Sequence, residues 1–478
     1  MRKKIFILTV LALGAFSTCF AGGLMTNTNY HIAFDRMMAR GASMEIDAAY
    51  SNPAGLAWGH EGFQLSLNFQ KPWQNRDITL TIPPSNMPNA YATPYSKTYE
   101  GKASAPIVPA LFASYKHDRW ALSTMIGIVG SGGFVKYDEG VPEFNVLLAN
   151  TIGTLSKSLS DATGGAIATT SPSAFDSEMK GKQYIYGGQL NFTYKLLDCL
   201  SVAAGLRANY YDGYYRGHVI ASDADQIELA KFLLDVDQKG WGFTPLVSIN
   251  YHKGPLTLTA RYEFRTKICT TNDTNVLAAS LNTTKLVEEP LSKLVLAGAI
   301  PATTAVAMVQ GIQEKLGGSF ATYIAPYQDG AETRYDMPAL LSIAAGYEFS
   351  PKLRATLEYH FFDDTNAKMA DNRQEKLDHG THEVLAGVEY DINQKFTISC
   401  GAQRTDYGLT DEYQKNTSFA CDSYSIGLGG AWNISEKLRL NAGYFITLYS
   451  DYDKPTAYGT ETYSRTNNVI GLGVDYKF

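Results

Sequence analysis

Past its first residues the chain has no run of eighteen apolar residues, so a membrane-spanning helix is excluded. The nearest approach, residues 294–309, carries no charge but is interrupted by Gly298, Pro301, Thr303 and Thr304. Cysteine is scarce, with 5 in 478 residues, and Cys199, Cys269, Cys400 and Cys421 are too few to staple a chain of this size. Cys400 and Cys421 flank a segment centred near residue 410, where they could pair across strands or stand as two unlinked thiols. Charged residues make up only 18%, against roughly a quarter in ordinary soluble domains. Beyond Arg2-Lys3-Lys4 there is no basic cluster and the net charge is -6, which excludes a nucleic-acid partner. Catalytic spacings such as Gly-x-Ser-x-Gly, His-Glu-x-x-His and Cys-x-x-Cys are missing, so neither an enzyme nor a bound cofactor is expected. His379, His382 and Glu383 form the one compact His-carboxylate group, in a stretch rich in Asp363, Asp364, Asp371 and Asp378. A solvated loop explains it more simply than a metal site.

What the chain does have is aromatic and glycine residues, 31 Tyr, 22 Phe and 42 Gly, and a strict order. Arg2 to Lys4, the apolar run Ile5 to Phe16 and small residues ending at Ala21 read as a secretory signal over 1–21. From Glu61 onward apolar and polar residues alternate, beginning with Phe63, Leu65, Leu67 and Phe69 against Gln64, Ser66, Asn68 and Gln70. Period two means strands with one apolar face. Fourteen such stretches are expected, at 61–71, 106–116, 119–130, 183–197, 199–213, 239–253, 254–268, 336–349, 352–364, 380–392, 395–407, 418–433, 436–450 and 464–478.

The connections alternate between short and long. Lys116 to Arg119, Leu197 to Cys199, His252 to Pro255, Ser350 to Lys352, Asn393 to Lys395 and Ile434 to Glu436 are tight turns, whereas 131–182 and 269–335 are far longer than compact soluble domains accept. An even-numbered antiparallel barrel of the bacterial outer membrane has this asymmetry, with short periplasmic turns, long outer loops and both termini periplasmic. Closure also removes the exposed edge that the last strand, ending in Phe478, would otherwise present. Tyr115, Trp120, Tyr359, Tyr390 and Trp432 at strand ends suit aromatic girdles. The fold class is therefore all-β, with residues 61–478 as a 14-stranded transmembrane barrel whose outer loops carry short helices. Residues 22–60 do not alternate, yet Ile46, Ala48, Ala49, Tyr50, Leu56 and Trp58 are too apolar for a free tail. They are expected to fold into the lumen as a hatch.

Parity along the strands turns Arg207, Arg261, Glu263, Arg265, Glu358 and Glu389 inward. Buried charges need partners, so salt bridges are expected among them or with Arg40, Glu45 and Asp47. A polar anchor for a carboxylate ligand would need an Arg or Lys free of such partners.

Arg40-Gly41-Ala42-Ser43, the Asn52-Pro53-Ala54-Gly55-Leu56 motif, the strand opening at Gly62, Asp336-Met337-Pro338-Ala339-Leu340 and the terminal Phe478 together resemble the FadL/TodX family of outer-membrane transporters for long-chain fatty acids and other hydrophobic compounds. The likeness runs over essentially the whole chain after the signal. It implies a barrel closed by an N-terminal hatch carrying Asn52, Pro53, Ala54 and Gly55, capture of ligand at the outer loops, and sideways release into the membrane beside a kinked third strand. Here that strand ends in Gly127, Gly130, Gly132, Gly133 and Phe134, where glycines weaken the ladder and allow a bulge; a glycine-rich strand end leading into a loop reads equally well. The capture groove implied by the resemblance falls in 214–238 and 269–335, read as loops with apolar helical stretches that include Phe232, Leu233, Leu294, Leu296, Val306 and Met308. The expected partners are a hydrophobic small molecule (fatty acid, steroid or hydrocarbon), outer-membrane lipid and the barrel-assembly machinery, the chain acting as a monomer. A porin for small polar solutes is the alternative, and an adhesive surface protein the third.

Overall fold

The computed structural model describes residues 25–27, 29–83, 95–105 and 107–478; the signal segment expected over 1–21 lies outside them. Fourteen antiparallel strands close into one barrel. They are β1 (Gly62–Ile82), β2 (Tyr95–Ser104 and Val108–His117), β3 (Trp120–Tyr137), β4 (Ala174–Leu197), β5 (Leu200–Ser222), β6 (Glu228–Lys253) and β7 (Leu256–Glu263 and Cys269–Leu281). The second half holds β8 (Glu332–Arg334 and Leu340–Ser350), β9 (Leu353–Phe362), β10 (Thr381–Asp391), β11 (Phe396–Asp406), β12 (Ser423–Asn433), β13 (Leu438–Tyr449, extended by Tyr452–Pro455) and β14 (Thr460–Lys477). Each strand pairs with the next, and β1 closes on β14 in continuous register from Gln64 opposite Lys477 to Thr81 opposite Thr460. The amide of Phe478 donates to the carbonyl of Phe63 at 3.0 Å, so the chain end is tied into the first strand.

The barrel is apolar outside and polar inside, the inverse of a soluble protein. Phe69, Leu190, Phe243, Ile398, Leu428 and Leu472 stand exposed on the outer face, while Gln64, Ser66, Asn68, Gln189, Asn191 and Asn209 are buried in the lumen. An exposed apolar belt of this extent is stable only against lipid. Near the tight turns Tyr115 packs on Trp120 with ring centroids 5.6 Å apart, and Phe396 stacks on Trp432 at 6.0 Å.

The first seven strands outrun the alternating stretches at their loop ends; β1 continues to Ile82 and β4 starts at Ala174. There the outer face stops being apolar, as in Gln74-Asn75-Arg76-Asp77, and backbone pairing alone carries the ladder. The segment read as a loop with a helical stretch over 214–238 is a correction: β5 and β6 run through it, leaving only 223–227 as the connection. Phe232 and Leu233 are strand residues on opposite faces, because Phe232, Leu234 and Val236 are buried while Leu233 is half-exposed. A run apolar on both faces hides its period of two. The Asp336-to-Leu340 segment, expected to open a strand, instead interrupts β8, and pairing resumes at Leu340.

Helices lie at the two places the alternation fails. α1 (Ile32–Met37) and α2 (Ala48–Ser51), followed by a 3-10 turn at Pro53–Trp58, belong to the N-terminal segment; α3 (Pro142–Ala162), α4 (Glu289–Leu296) and α5 (Ala302–Ile324) sit in the long connections. α3 and α4 contribute Phe144, Ile152 and Leu291 to an apolar cluster with Tyr99, Tyr137, Phe232 and Tyr327 that covers the loop end of the barrel. A second cluster joins Ile46, Ala49, Tyr50 and Leu56 of the N-terminal segment to Phe112, Met125, Tyr211 and Tyr335 of the wall.

Candidate functional site

The N-terminal segment is bound to the wall through its backbone. Asn52 caps the 3-10 turn by accepting from the Gly55 amide, and its Nδ2 donates to the Ser43 carbonyl at 3.0 Å and to Asn250 Oδ1 of β6 at 2.9 Å. The next carbonyls are taken by wall hydroxyls: Thr193 of β4 donates to Pro53 at 2.8 Å and Ser201 of β5 to Ala54 at 2.6 Å. Gln189 and Asn191 of β4 both donate to the Ala49 carbonyl, at 3.0 and 2.9 Å. Gly55 admits no side chain, because a Cβ there would stand 2.5 Å from the Ser43 carbonyl oxygen. On the opposite wall α1 sits over glycines; a Cβ on Gly443 of β13 would lie 2.8 Å from that of Asp35. The motif residues thus cap, turn and anchor one segment against three adjacent strands.

Arg207, Arg261, Glu263, Glu358 and Glu389 are all buried in the lumen. Glu263 lies between Arg207 at 2.5 Å and Arg261 at 3.0 Å. Glu358 accepts from the amides of Arg40 and Gly41 at 2.9 and 2.7 Å and from His360 at 2.6 Å. Glu389 draws in Arg36 and Arg40 of the N-terminal segment and Arg354 of β9. Asp47 grips the guanidinium of Arg40 at 2.6 Å. Arg265 is a correction to the inward set: β7 breaks after Glu263, so Phe264 and Arg265 are both exposed and Thr266 turns inward. Cys400 and Cys421 are both free thiols: Cys400 of β11 is exposed, and Cys421, in the connection before β12, is buried.

The third strand carries the irregularity. β2 and β3 pair from His117 opposite Trp120 up to Leu111 opposite Ile126, and meet again only at Lys102 opposite Lys136 and Gly101 opposite Tyr137. Between these points β3 keeps its ladder to β4, with register shifts at Ile128/Gly130 and Ser131/Gly133, but among the described residues has none to β2. Gly133 holds φ at 76°, a conformation that favours glycine. Gly127 sits at the first unpaired position, and a Cβ there would lie 3.3 Å from Ala110 Cβ of β2. A cavity of about 90 Å³ abuts this break, lined by Ser104 and Val108 of β2, Ala105 between its two parts, Ile128 and Phe134 of β3, and Tyr30 of the N-terminal segment. On the turn side the N-terminal segment borders a second space of about 790 Å³, lined by Arg40, Glu45, Arg354 and Glu389.

At the loop end α4 and α5 enclose an open apolar groove of about 600 Å³. Leu296 and Val306 line it, with Leu291, Val295 and Val309; Leu294 and Met308 turn instead onto the covering cluster. Phe232 lies beneath, edge-on to Tyr327 at 6.4 Å.

Two clusters that invite a catalytic reading have the wrong geometry. Ser66 and Asp475 both approach His31 Nε2, at 3.1 and 3.2 Å, while Nδ1 accepts from the Ala33 amide. A relay needs the carboxylate on the other nitrogen. His382 and Glu383 project to opposite faces of β10, where His382 meets Tyr359 at 2.7 Å and Glu383 meets His360 at 2.9 Å.

Residues beyond the sequence-based set include the anchoring hydroxyls and amides of Thr193, Ser201 and Asn250, and the pair Arg76 and Arg465 on β1 and β14. Their signal is only inward parity, which many wall residues share.

A family model described as outer membrane protein beta-barrel domain matches residues 294–478. No curated protein matches the chain. Among solved structures, a Pseudomonas aeruginosa FadL homologue is similar with a TM-score of 0.61 at 14% identity, over 96% of this chain and 100% of that one. The P. putida toluene transporter TodX follows with 0.53 at 13%, over 91% and 94%, and the Ralstonia pickettii toluene transporter TbuX with 0.50 at 14%, over 90% and 94%. At these identities the likeness is one of fold, and the fold is that of FadL- and TodX-type outer-membrane barrels.

Proposed function

We propose that this barrel takes up hydrophobic compounds passively across the bacterial outer membrane, with long-chain fatty acids as the expected cargo. Ligand is captured in the apolar groove between α4 and α5, passes a lumen plugged by residues 22–60 acting as a hatch, and leaves sideways through the break between β2 and β3. The observation that carries this reading is that break, because Ile128, Gly133 and Phe134 of β3 border a cavity there that reaches Tyr30 of the N-terminal segment. An exit into lipid suits a ligand that prefers lipid to water. The cavity of about 90 Å³ is smaller than the roughly 150 Å³ void that holds a benzene ring, so passage requires the hatch or β3 to move. The toluene transporters that share the fold carry small aromatic hydrocarbons by name, which supports a hydrophobic ligand in general. The turns and both termini are assigned to the periplasmic side and the helical connections to the outside.

The test is uptake by the purified barrel in liposomes. Saturable uptake of labelled hexadecanoate without flux of a small sugar is the expected result. Sugar flux without hexadecanoate uptake would make the chain a porin.

A further inference from the structure

The register that closes the barrel sets Arg76 of β1 directly opposite Arg465 of β14. Both face the lumen and are buried, 7% and 9% exposed. Directly opposed residues hold their Cβ atoms about 5 Å apart, so two like charges repel there. The buried strand arginines Arg207 and Arg261, and the partly buried Arg354 and Arg439, each touch a carboxylate. Arg76 and Arg465 touch none among the described residues. Arg76 bonds only to Gln74 Oε1, at 3.2 Å from both Nε and Nη2. Arg465 lies over the ring of Tyr449 at 4.5 Å, and its buried Nε has no hydrogen-bond partner. The ionisable groups acting most strongly on the pair are Tyr137, Tyr407, Tyr449 and Cys421, which are uncharged at neutral pH.

Both arginines line the small cavity that reaches the break between β2 and β3. Gln74 and Asn467 line it beside them, and Ile128, Phe134 and Val108 line the same space at the break, together with Ser131. Two guanidinium groups without a counterion among the described residues, in a space that also presents apolar side chains at the break, define the missing partner.

We propose that Arg76 and Arg465 form an anion subsite that receives the carboxylate or sulfate head of an amphiphile whose apolar body points toward the break in β3. The proposal rests on the uptake reading above and deepens it: the cargo is an acid, and a plain hydrocarbon leaves the arginines uncompensated. A planar carboxylate can accept from both guanidinium forks at once, which also cancels the repulsion between them. Bound acid therefore stabilises the barrel, while a neutral analogue of the same length does so much less.

The experiment measures binding of labelled hexadecanoate and hexadecanol to the purified barrel in neutral detergent, with dodecyl sulfate as competitor. Wild type is expected to bind the acid at least about ten-fold more tightly than the alcohol, the ratio that 1.4 kcal/mol makes. Dodecyl sulfate is expected to displace the acid. In the Arg76→Gln/Arg465→Gln variant the acid should fall to the affinity of the alcohol, while the alcohol's own affinity stays unchanged and reports an intact site. Hexadecanoate should raise the unfolding temperature of wild type and leave that of the variant unmoved. Equal binding of acid and alcohol by wild type, or an acid preference that survives the double substitution, overturns the anion subsite while leaving hydrophobic uptake standing. Binding and uptake of neither ligand overturns both.

Discussion

Asn52 of the N-terminal segment and Asn250 of β6 share a 2.9 Å hydrogen bond inside the barrel, and the same Asn52 amide nitrogen reaches back 3.0 Å to the Ser43 carbonyl. One side chain therefore holds the fold of the segment and its position on the wall. Both atoms it serves are buried, so removing it leaves orphaned polar groups that water does not reach.

Asn52→Ala is expected to loosen the segment without opening the barrel. The lost cap and wall bond cost on the order of 2 kcal/mol, borne locally. Amide exchange over residues 43–58 should accelerate and hydrophobic uptake should fall, while heat-modifiable migration on a gel stays as in wild type. Unaltered uptake with accelerated exchange would remove the hatch from the transport path.

Bulky side chains in the irregular part of β3 should obstruct the exit. Gly130 and Gly132 are buried there beside the two register shifts. Gly130→Leu with Gly132→Leu is expected to reduce uptake of hexadecanoate several-fold while leaving its binding at the outer groove intact, as measured by equilibrium binding and liposome uptake side by side. Full uptake in that variant would place the exit elsewhere.

Glu263→Gln should be among the most destabilising single changes in the wall. It leaves Arg207 and Arg261 buried without their shared carboxylate, a loss of about 3–5 kcal/mol for a broken buried pair. The measurement is the urea midpoint of the folded barrel in lipid vesicles, which should fall clearly for Glu263→Gln and hardly at all for substitution of the exposed Arg265.

The loop after β9 has a pH dependence of its own. Asp364 accepts from the Thr381 amide at 2.9 Å, and burial pushes its carboxyl up from 3.8 to about 6. The folded loop then holds a proton that the unfolded chain has already released, so stability falls as pH rises from about 4 to 6 and the cost is complete above that. Asp364→Asn should raise the unfolding temperature at pH 7.5 and change it little at pH 4.

The strand plan is legible in the sequence because lipid on one side and a packed polar lumen on the other impose alternation, as in Phe63 to Gln70. Where one side ceases to be lipid, as in Gln74 to Asp77 or Leu229 to Val236, the pattern dissolves although the ladder continues. Parity places Arg207 and Glu263 inward, and fails at Arg265, where β7 breaks. The opposition of Arg76 and Arg465 has no local signal at all, since these residues meet only because the first and last strands pair. Asn52-Pro53-Ala54-Gly55 stands out as a motif, yet its bonds to Thr193, Ser201 and Asn250 are set by the tertiary arrangement.

The most direct test of lateral exit is a reversible staple across the break. In a background lacking the four free cysteines, Ala110→Cys and Gly127→Cys would join β2 to β3 at the first unpaired position, where their Cβ atoms stand about 3.3 Å apart, close to the separation a disulfide spans. Hexadecanoate uptake into liposomes should be low when the staple is oxidised and return to the wild-type rate on reduction, with binding unchanged throughout. Equal uptake by the oxidised and reduced forms would contradict release through the β2–β3 gap.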